Sequence, residues 1–168
     1  MKSRKYAAEL VGLLKVRGKK IATVESCTGG LMAAAITGVS GASEVFDYGL
    51  VTYADAAKTA LAGVPEYLIL AHGAVSIEVA ASMAEGARKA AGAFMAISTT
   101  GIAGPSGGSS EKPVGMVCFG LSFIDLEGQP RTQAQVMQFG AASRDRVREM
   151  SVAHALRWAV ETLKVQAA

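Results

Sequence analysis

The chain has 168 residues, 51% of them hydrophobic but only 6% aromatic, and a formal net charge of +3. This length suits one domain burying roughly two-thirds of its unfolded surface without a staple, and two cysteines, Cys27 and Cys118, make neither a disulfide scaffold nor a zinc spacing. The positive charge, most concentrated at Arg144, Arg146 and Arg148, is narrower than a nucleic-acid footprint, and no apolar run approaches the ~18 residues of a membrane span.

The basic start Met1-Lys2-Ser3-Arg4-Lys5 is not followed by a signal-peptide core, because Glu9 and Lys15 interrupt it and no cleavage signal follows. A cytoplasmic protein is expected, with no nucleic-acid partner, no membrane, no metal and no cofactor.

Ala7, Leu10, Val11 and Leu14 recur at helical spacing, which predicts a helix over 3–16 ending at Gly18. Residues 19–25 read as a buried strand, 31–36 as a helix closing at Gly38, and 45–53 as a second strand rich in branched and aromatic residues. A short helix over 56–61 ends near Gly63, and Val64-Pro65 opens a connection to His72-Gly73. Ser76 reads as the N-cap of a helix to Ala90, with Val79, Met83 and Ala87 on one face. Residues 94–100 form a strand entering a glycine-rich loop. The runs 116–124 and 132–139 flank a turn at Asp125 to Pro130 and predict an antiparallel pair. A final helix over 144–164 offers Val147, Met150, Ala153, Leu156, Trp158 and Leu163 as its apolar contacts. Helices alternating with strands, plus one late hairpin, imply an α/β fold: a three-layer α/β/α sandwich with a mixed, mostly parallel sheet, in a single domain over 1–168.

The chemistry concentrates in two segments. In Glu25-Ser26-Cys27-Thr28-Gly29-Gly30 an apolar strand stops at small polar residues and a helix begins. Backbone N–H groups at such a turn stabilise an oxyanion or anionic ligand, and Gly29 and Gly30 permit close approach. Ser26 is either a helix cap or a nucleophile; its place after a buried strand favours a site. A serine nucleophile needs a base, for which Tyr53 and Lys58 are candidates, although a lysine serves only where burial or a cation lowers its pKa. The alternatives are a strand aromatic and a solvated helix lysine.

The second segment, Thr99 to Pro113, combines Thr100, Gly101, Gly104, Gly107 and Gly108 and matches neither GxxxxGK[ST] nor GxGxxG, so a P-loop or Rossmann dinucleotide site is disfavoured. Departing directly from a strand, it reads as a binding loop rather than a passive surface loop. Arg144 and Arg148, at i and i+4, share a helix face and either grip phosphate or form a solvated basic face. Cys27 is a rival nucleophile with His72 or His154 as base. Glu25, Asp47 and Asp55 lack a metal-ligand pattern.

Together the chain resembles the CinA C-terminal domain family, whose enzymatic members are nicotinamide-nucleotide amidases of the PncC type. The likeness spans almost the whole sequence and is carried by 25–30, Val51-Thr52-Tyr53 with Ala57-Lys58, His72 to Ser76 with Met83 to Arg88, and Thr100 to Pro105 with Gly107-Gly108-Ser109 and Lys112 to Gly115. The resemblance implies Ser26 as nucleophile, activated by Tyr53 and Lys58, and hydrolysis of the carboxamide of nicotinamide mononucleotide to nicotinic acid mononucleotide and ammonia in pyridine-nucleotide recycling. It places substrate contacts at Thr28, Gly29 and Gly30, at the second loop, and at Arg144 before Arg148 for phosphate; a homo-oligomer is also expected from it. Full-length CinA proteins carry a further N-terminal domain, so this chain looks like the stand-alone form. Ser143 stands where aspartate is common, weakening the expected cap near Arg144, and Met116 replaces a frequent threonine. The competing reading is a non-hydrolytic nucleotide-binding or competence- and damage-related regulatory module.

Overall fold

The computed structural model describes residues 2–140 and 142–166. Its elements run α1 (Lys2–Arg17), β1 (Ile21–Glu25), α2 (Leu31–Thr37), a 3-10 turn (Ala42–Glu44), β2 (Phe46–Val51), α3 (Asp55–Ala62), α4 (Glu66–His72), α5 (Ile77–Ala91), β3 (Met95–Gly101), β4 (Met116–Ile124), β5 (Pro130–Gln138) and α6 (Arg144–Val165). The five strands form one sheet in the order β2-β1-β3-β4-β5. β1 pairs in parallel with β2 and β3, and β4 pairs antiparallel with β3 and β5, so β4 alone runs against the other four. The mixed, mostly parallel sheet of the three-layer sandwich is therefore present.

Alternation along the strands builds two unequal cores. Ile21, Met95, Ile97, Val117, Phe119, Leu121 and Phe123 face α1, α2 and α6, where Leu10, Leu14, Ile36, Leu156 and Leu163 complete the larger core. The opposite face presents smaller residues, among them Ala22, Val24 and Ala96, to Val79, Met83 and Ala87 of α5. Small side chains let α5 lie close: a Cβ on Gly120 of β4 would stand 2.1 Å from the Ala80 carbonyl oxygen, and the Ser98 hydroxyl donates to that carbonyl at 2.6 Å. Any side chain at 120 would drive helix and sheet apart.

Several expectations shift. The connection expected between Pro65 and Gly73 is the helix α4, whose exposed Tyr67 and Leu70 break the one-faced periodicity that would have revealed it. Its signals were punctuation: Pro65 before Glu66, then His72 and Gly73 at the far end. Lys19 and Lys20 are exposed and precede β1. Tyr53 lies beyond β2, in the turn to α3. α6 buries Val152, Ala155, Ala159 and Val160 together with Val147, Leu156 and Leu163, whereas Met150, Ala153 and Trp158 are half-buried. Ser143 does cap α6, its hydroxyl accepting from the Arg146 N–H at 3.3 Å, so the feared loss of the cap does not occur. Among the described residues no helix is long and apolar enough to cross a membrane.

Candidate active site

The carboxyl ends of three neighbouring parallel strands converge at Ser26 after β1, Thr52 and Tyr53 after β2, and Thr100 and Gly101 at the end of β3. Open α/β sheets place ligands at such strand ends. Here Ser26, Tyr53, Lys58, Thr100, Gly101 and Arg144 line one cavity of ≈ 190 Å³, together with Cys27 and Asp55.

Ser26 is nearly buried, and its backbone N–H continues the ladder by donating to Thr99 O at 2.9 Å. Lys58 reaches it from the first turn of α3, with Nζ 3.4 Å from Ser26 Oγ. The amine is 1% exposed and donates to the carbonyls of Thr52 at 3.0 Å and Tyr53 at 3.3 Å. Burial lowers its pKa from the ordinary 10.5, and Asp55, with Oδ1 at 3.6 Å, partly opposes that shift. The solvated-lysine alternative is therefore excluded by placement. Tyr53 contributes its carbonyl here, while its exposed phenol oxygen accepts from Arg144 Nη2 at 2.9 Å.

Glu25 governs the loop in a way that sequence reasoning missed. Its fully buried carboxylate turns back to accept from the N–H groups of Gly30 at 3.1 Å, Met32 at 2.9 Å and Ala33 at 2.8 Å. An anion at a helix N-terminus satisfies orphan donors and meets the positive end of the macrodipole. The helix start expected to be free for an oxyanion is thus occupied by this side chain. Gly30 is needed instead for its φ of 94°, which turns its N–H toward Glu25. The signal was present as an acid ending a strand six residues before a helical run.

The other expected contacts divide. The Thr28 hydroxyl is paired with that of Thr99 at 2.7 Å in the interior, and the Gly29 N–H donates to Ser26 O at 3.0 Å. Among the described residues no protein oxygen accepts from the Cys27 or Thr28 N–H groups. Thr100 donates its hydroxyl to Ala74 O at 2.8 Å, and the Gly104 carbonyl accepts from Arg144 Nη1 at 2.9 Å. Gly107 and Gly108 are exposed and do not line the Ser26 cavity. Arg148 does not line it either: its guanidinium donates to Cys27 O and Thr28 O, each at 3.2 Å, and braces the serine loop from behind. Arg144 alone of the two arginines faces the cavity.

The rival constellations come apart. Burial pushes the Cys27 thiol up to about 12, which keeps it protonated and weakly nucleophilic. His154 packs 4.7 Å from the Phe119 ring and lines a different cavity, and His72 lies at the end of α4 with Nδ1 3.6 Å from Glu78. Asp47 accepts from Lys20 at 2.6 Å. Among the described residues no three His, Cys, Asp or Glu side chains are grouped to hold a metal ion.

A family model described as the CinA C-terminal domain matches residues 3–163. A CinA-like protein of Citrifermentans bemidjiense is 51% identical over 146 residues, covering 87% of this chain and 34% of that protein. The chain thus spans about a third of the length of the curated relatives it matches. Among solved structures, the competence/damage inducible protein CihA from Agrobacterium tumefaciens superposes with a TM-score of 0.91 at 36% identity, covering 98% of this chain and 96% of that one. The competence damage-inducible protein A from Klebsiella pneumoniae gives 0.89 at 34% identity, with 96% and 97% covered. With Ser26, Lys58 and both glycine-rich loops inside the matched segment, the chain belongs to the CinA C-terminal domain family.

Proposed function

We propose that the protein is an amidohydrolase that releases ammonia from the carboxamide of nicotinamide mononucleotide, with Ser26 as nucleophile and Lys58 as base. The observation that carries this reading is the placement of the Lys58 amine: buried, 3.4 Å from Ser26 Oγ, and anchored on two carbonyls. A neutral amine has two N–H donors and one lone pair. Because Thr52 O and Tyr53 O only accept, they take both donors and leave the lone pair for the Ser26 proton.

Ser26 Oγ attacks the carboxamide carbon as its proton passes to Lys58, and the resulting ammonium gains Asp55 as counter-ion. The Cys27 and Thr28 N–H groups serve as oxyanion donors, each worth roughly 3 kcal/mol when well aimed. Lys58 returns its proton to the leaving nitrogen, ammonia departs, and water resolves the acyl-enzyme. A cavity of ≈ 190 Å³ is smaller than the roughly 300–1,000 Å³ that engulfs a whole small molecule. It accepts the carboxamide end and leaves the phosphate at the rim, where Arg144 stands, held by Gly104 O and the Tyr53 phenol. Tyr53 then acts chiefly by positioning Arg144.

The test is stoichiometric release of ammonia and nicotinic acid mononucleotide from nicotinamide mononucleotide by the purified chain. Nucleotide binding without ammonia release would instead favour the regulatory module. Cys27→Ala is expected to retain turnover within about threefold, since a protonated buried thiol supplies no nucleophile.

The pH dependence has a defined sign. Lys58 must be neutral, so kcat/KM rises with pH through a midpoint below the ordinary lysine value of 10.5. Asp55 raises that midpoint, and Asp55→Asn is therefore expected to move the ascending limb to lower pH. Stability follows linkage: between the lowered folded pKa and the unfolded value the unfolded chain binds more protons, so this lysine makes stability increase with pH across that interval. A pH–rate profile of Asp55→Asn unmoved from wild type would remove Lys58 as the titrating base.

A further inference from the structure

A second cavity, of ≈ 1010 Å³, lies where β1 and β3 begin, at the opposite end of these strands from Ser26. Its wall includes Arg88 in the last turn of α5, a side chain only 8% exposed. Arg88 Nε donates to Ser122 Oγ at 2.9 Å, and among the described residues this is the one hydrogen bond of its guanidinium, with no carboxylate within ion-pair distance. A guanidinium carries five N–H donors, so four have no acceptor among the described residues, and its terminal nitrogens are not sealed away from the cavity. Buried cations are ordinarily paired, because removing them from water is costly.

The surroundings add to this excess of donors. Arg17, Lys19, Lys20 and Lys89 line the same cavity, against a single acid, Asp125. That carboxylate is engaged by Arg131 at 2.7 Å and by the Glu127 and Gln129 N–H groups. Lys20 is paired with Asp47 and Lys89 with Glu85, whereas Lys19 stands over the Phe94 ring at 5.5 Å from its centroid. The Gln166 side-chain nitrogen, on another wall, is buried without an acceptor among the described residues. Cations in the last turns of α1 and α5 complement their carbonyl ends, which accounts for the exposed Lys89 and for Arg17. It does not account for setting the largely enclosed Arg88 in this wall with no anion beside it among the described residues.

We propose that this cavity binds a diphosphate group, gripped by the planar fork of Arg88 from the inner wall and by Lys19 and Lys89 from the rim, at a site separate from the Ser26 cavity. Arginine suits the inner position because its fork matches two phosphate oxygens at once. Free pyrophosphate and the diphosphate of a nucleotide share this chemistry, and the volume accommodates either.

Calorimetric titration of the purified chain at low salt with inorganic pyrophosphate and, separately, ADP tests the assignment. Wild type and Arg144→Ala are expected to bind pyrophosphate with equal affinity. Arg88→Gln, which keeps a donor for Ser122, should bind at least tenfold more weakly, and Lys19→Ala/Lys89→Ala at least threefold more weakly. Tighter binding of ADP identifies the nucleotide; equal or weaker binding identifies free diphosphate. The proposal is overturned by absence of saturable binding to wild type, by undiminished affinity in Arg88→Gln, or by loss of binding in Arg144→Ala, which would move the site to the Ser26 cavity. Should Arg88→Gln fail to fold, the lysine pair decides, and unchanged affinity there overturns the proposal equally.

Discussion

Ser26→Ala and Lys58→Met are each expected to lower ammonia release by about 10³-fold or more, the scale of losing a nucleophile or its general base. Both act on one step. Without Oγ there is no acyl-enzyme, and without the amine the proton of an unactivated hydroxyl has no acceptor within reach. The double variant should therefore fall no further than the worse single variant, because residues acting as a unit are not additive. Methionine matches the length of the lysine stem and is expected to leave a cooperatively folding chain. It removes a buried amine but deprives Thr52 O and Tyr53 O of their donor, two opposing effects. Lys58→Met retaining activity within tenfold of wild type would eliminate the proposed base.

Glu25→Ala is expected to cost about 3–5 kcal/mol of stability, a large share of the ~5–15 kcal/mol that holds a typical domain. Three N–H groups lose their acceptor together, and two strands meet at the same residue: the Glu25 carbonyl also accepts from the Thr52 N–H at 2.8 Å. Loss of the carboxylate frees the first turn of α2, which at seven residues is too short to persist without tertiary support. Glu25→Gln should recover part of the loss, since one amide oxygen still accepts while its NH₂ faces donors. Urea unfolding measures this series, and a midpoint for Glu25→Ala equal to wild type would show that the carboxylate does not hold the loop.

Much of the fold was legible because burial imposes a period. α1, α5 and α6 announce themselves by one apolar stripe each, and β3 and β4 by largely apolar stretches between turn signals. α4 was not legible, since a helix that buries no residue fully carries no such stripe. At the site, the Ser26 turn could be read from its strand-to-helix position. Glu25 escaped notice because its value lies in three amides it meets only after the chain reverses, and Arg148 because a helix-face arginine gives no sign that it will brace a loop 120 residues away.

The order of residues alone thus specified the helices and strands other than α4, that a hydroxyl would stand at a strand end, and the family to which these motifs belong. Folding lowered the pKa of the amine, by burying Lys58, and divided the two arginines, Arg144 lining the cavity and Arg148 bracing the serine loop. The physical reason is range. Periodicity and turn chemistry act between neighbours a few positions apart, whereas desolvation and hydrogen-bond geometry depend on groups from β1, β2, α3 and α6 that meet only when the sheet is assembled.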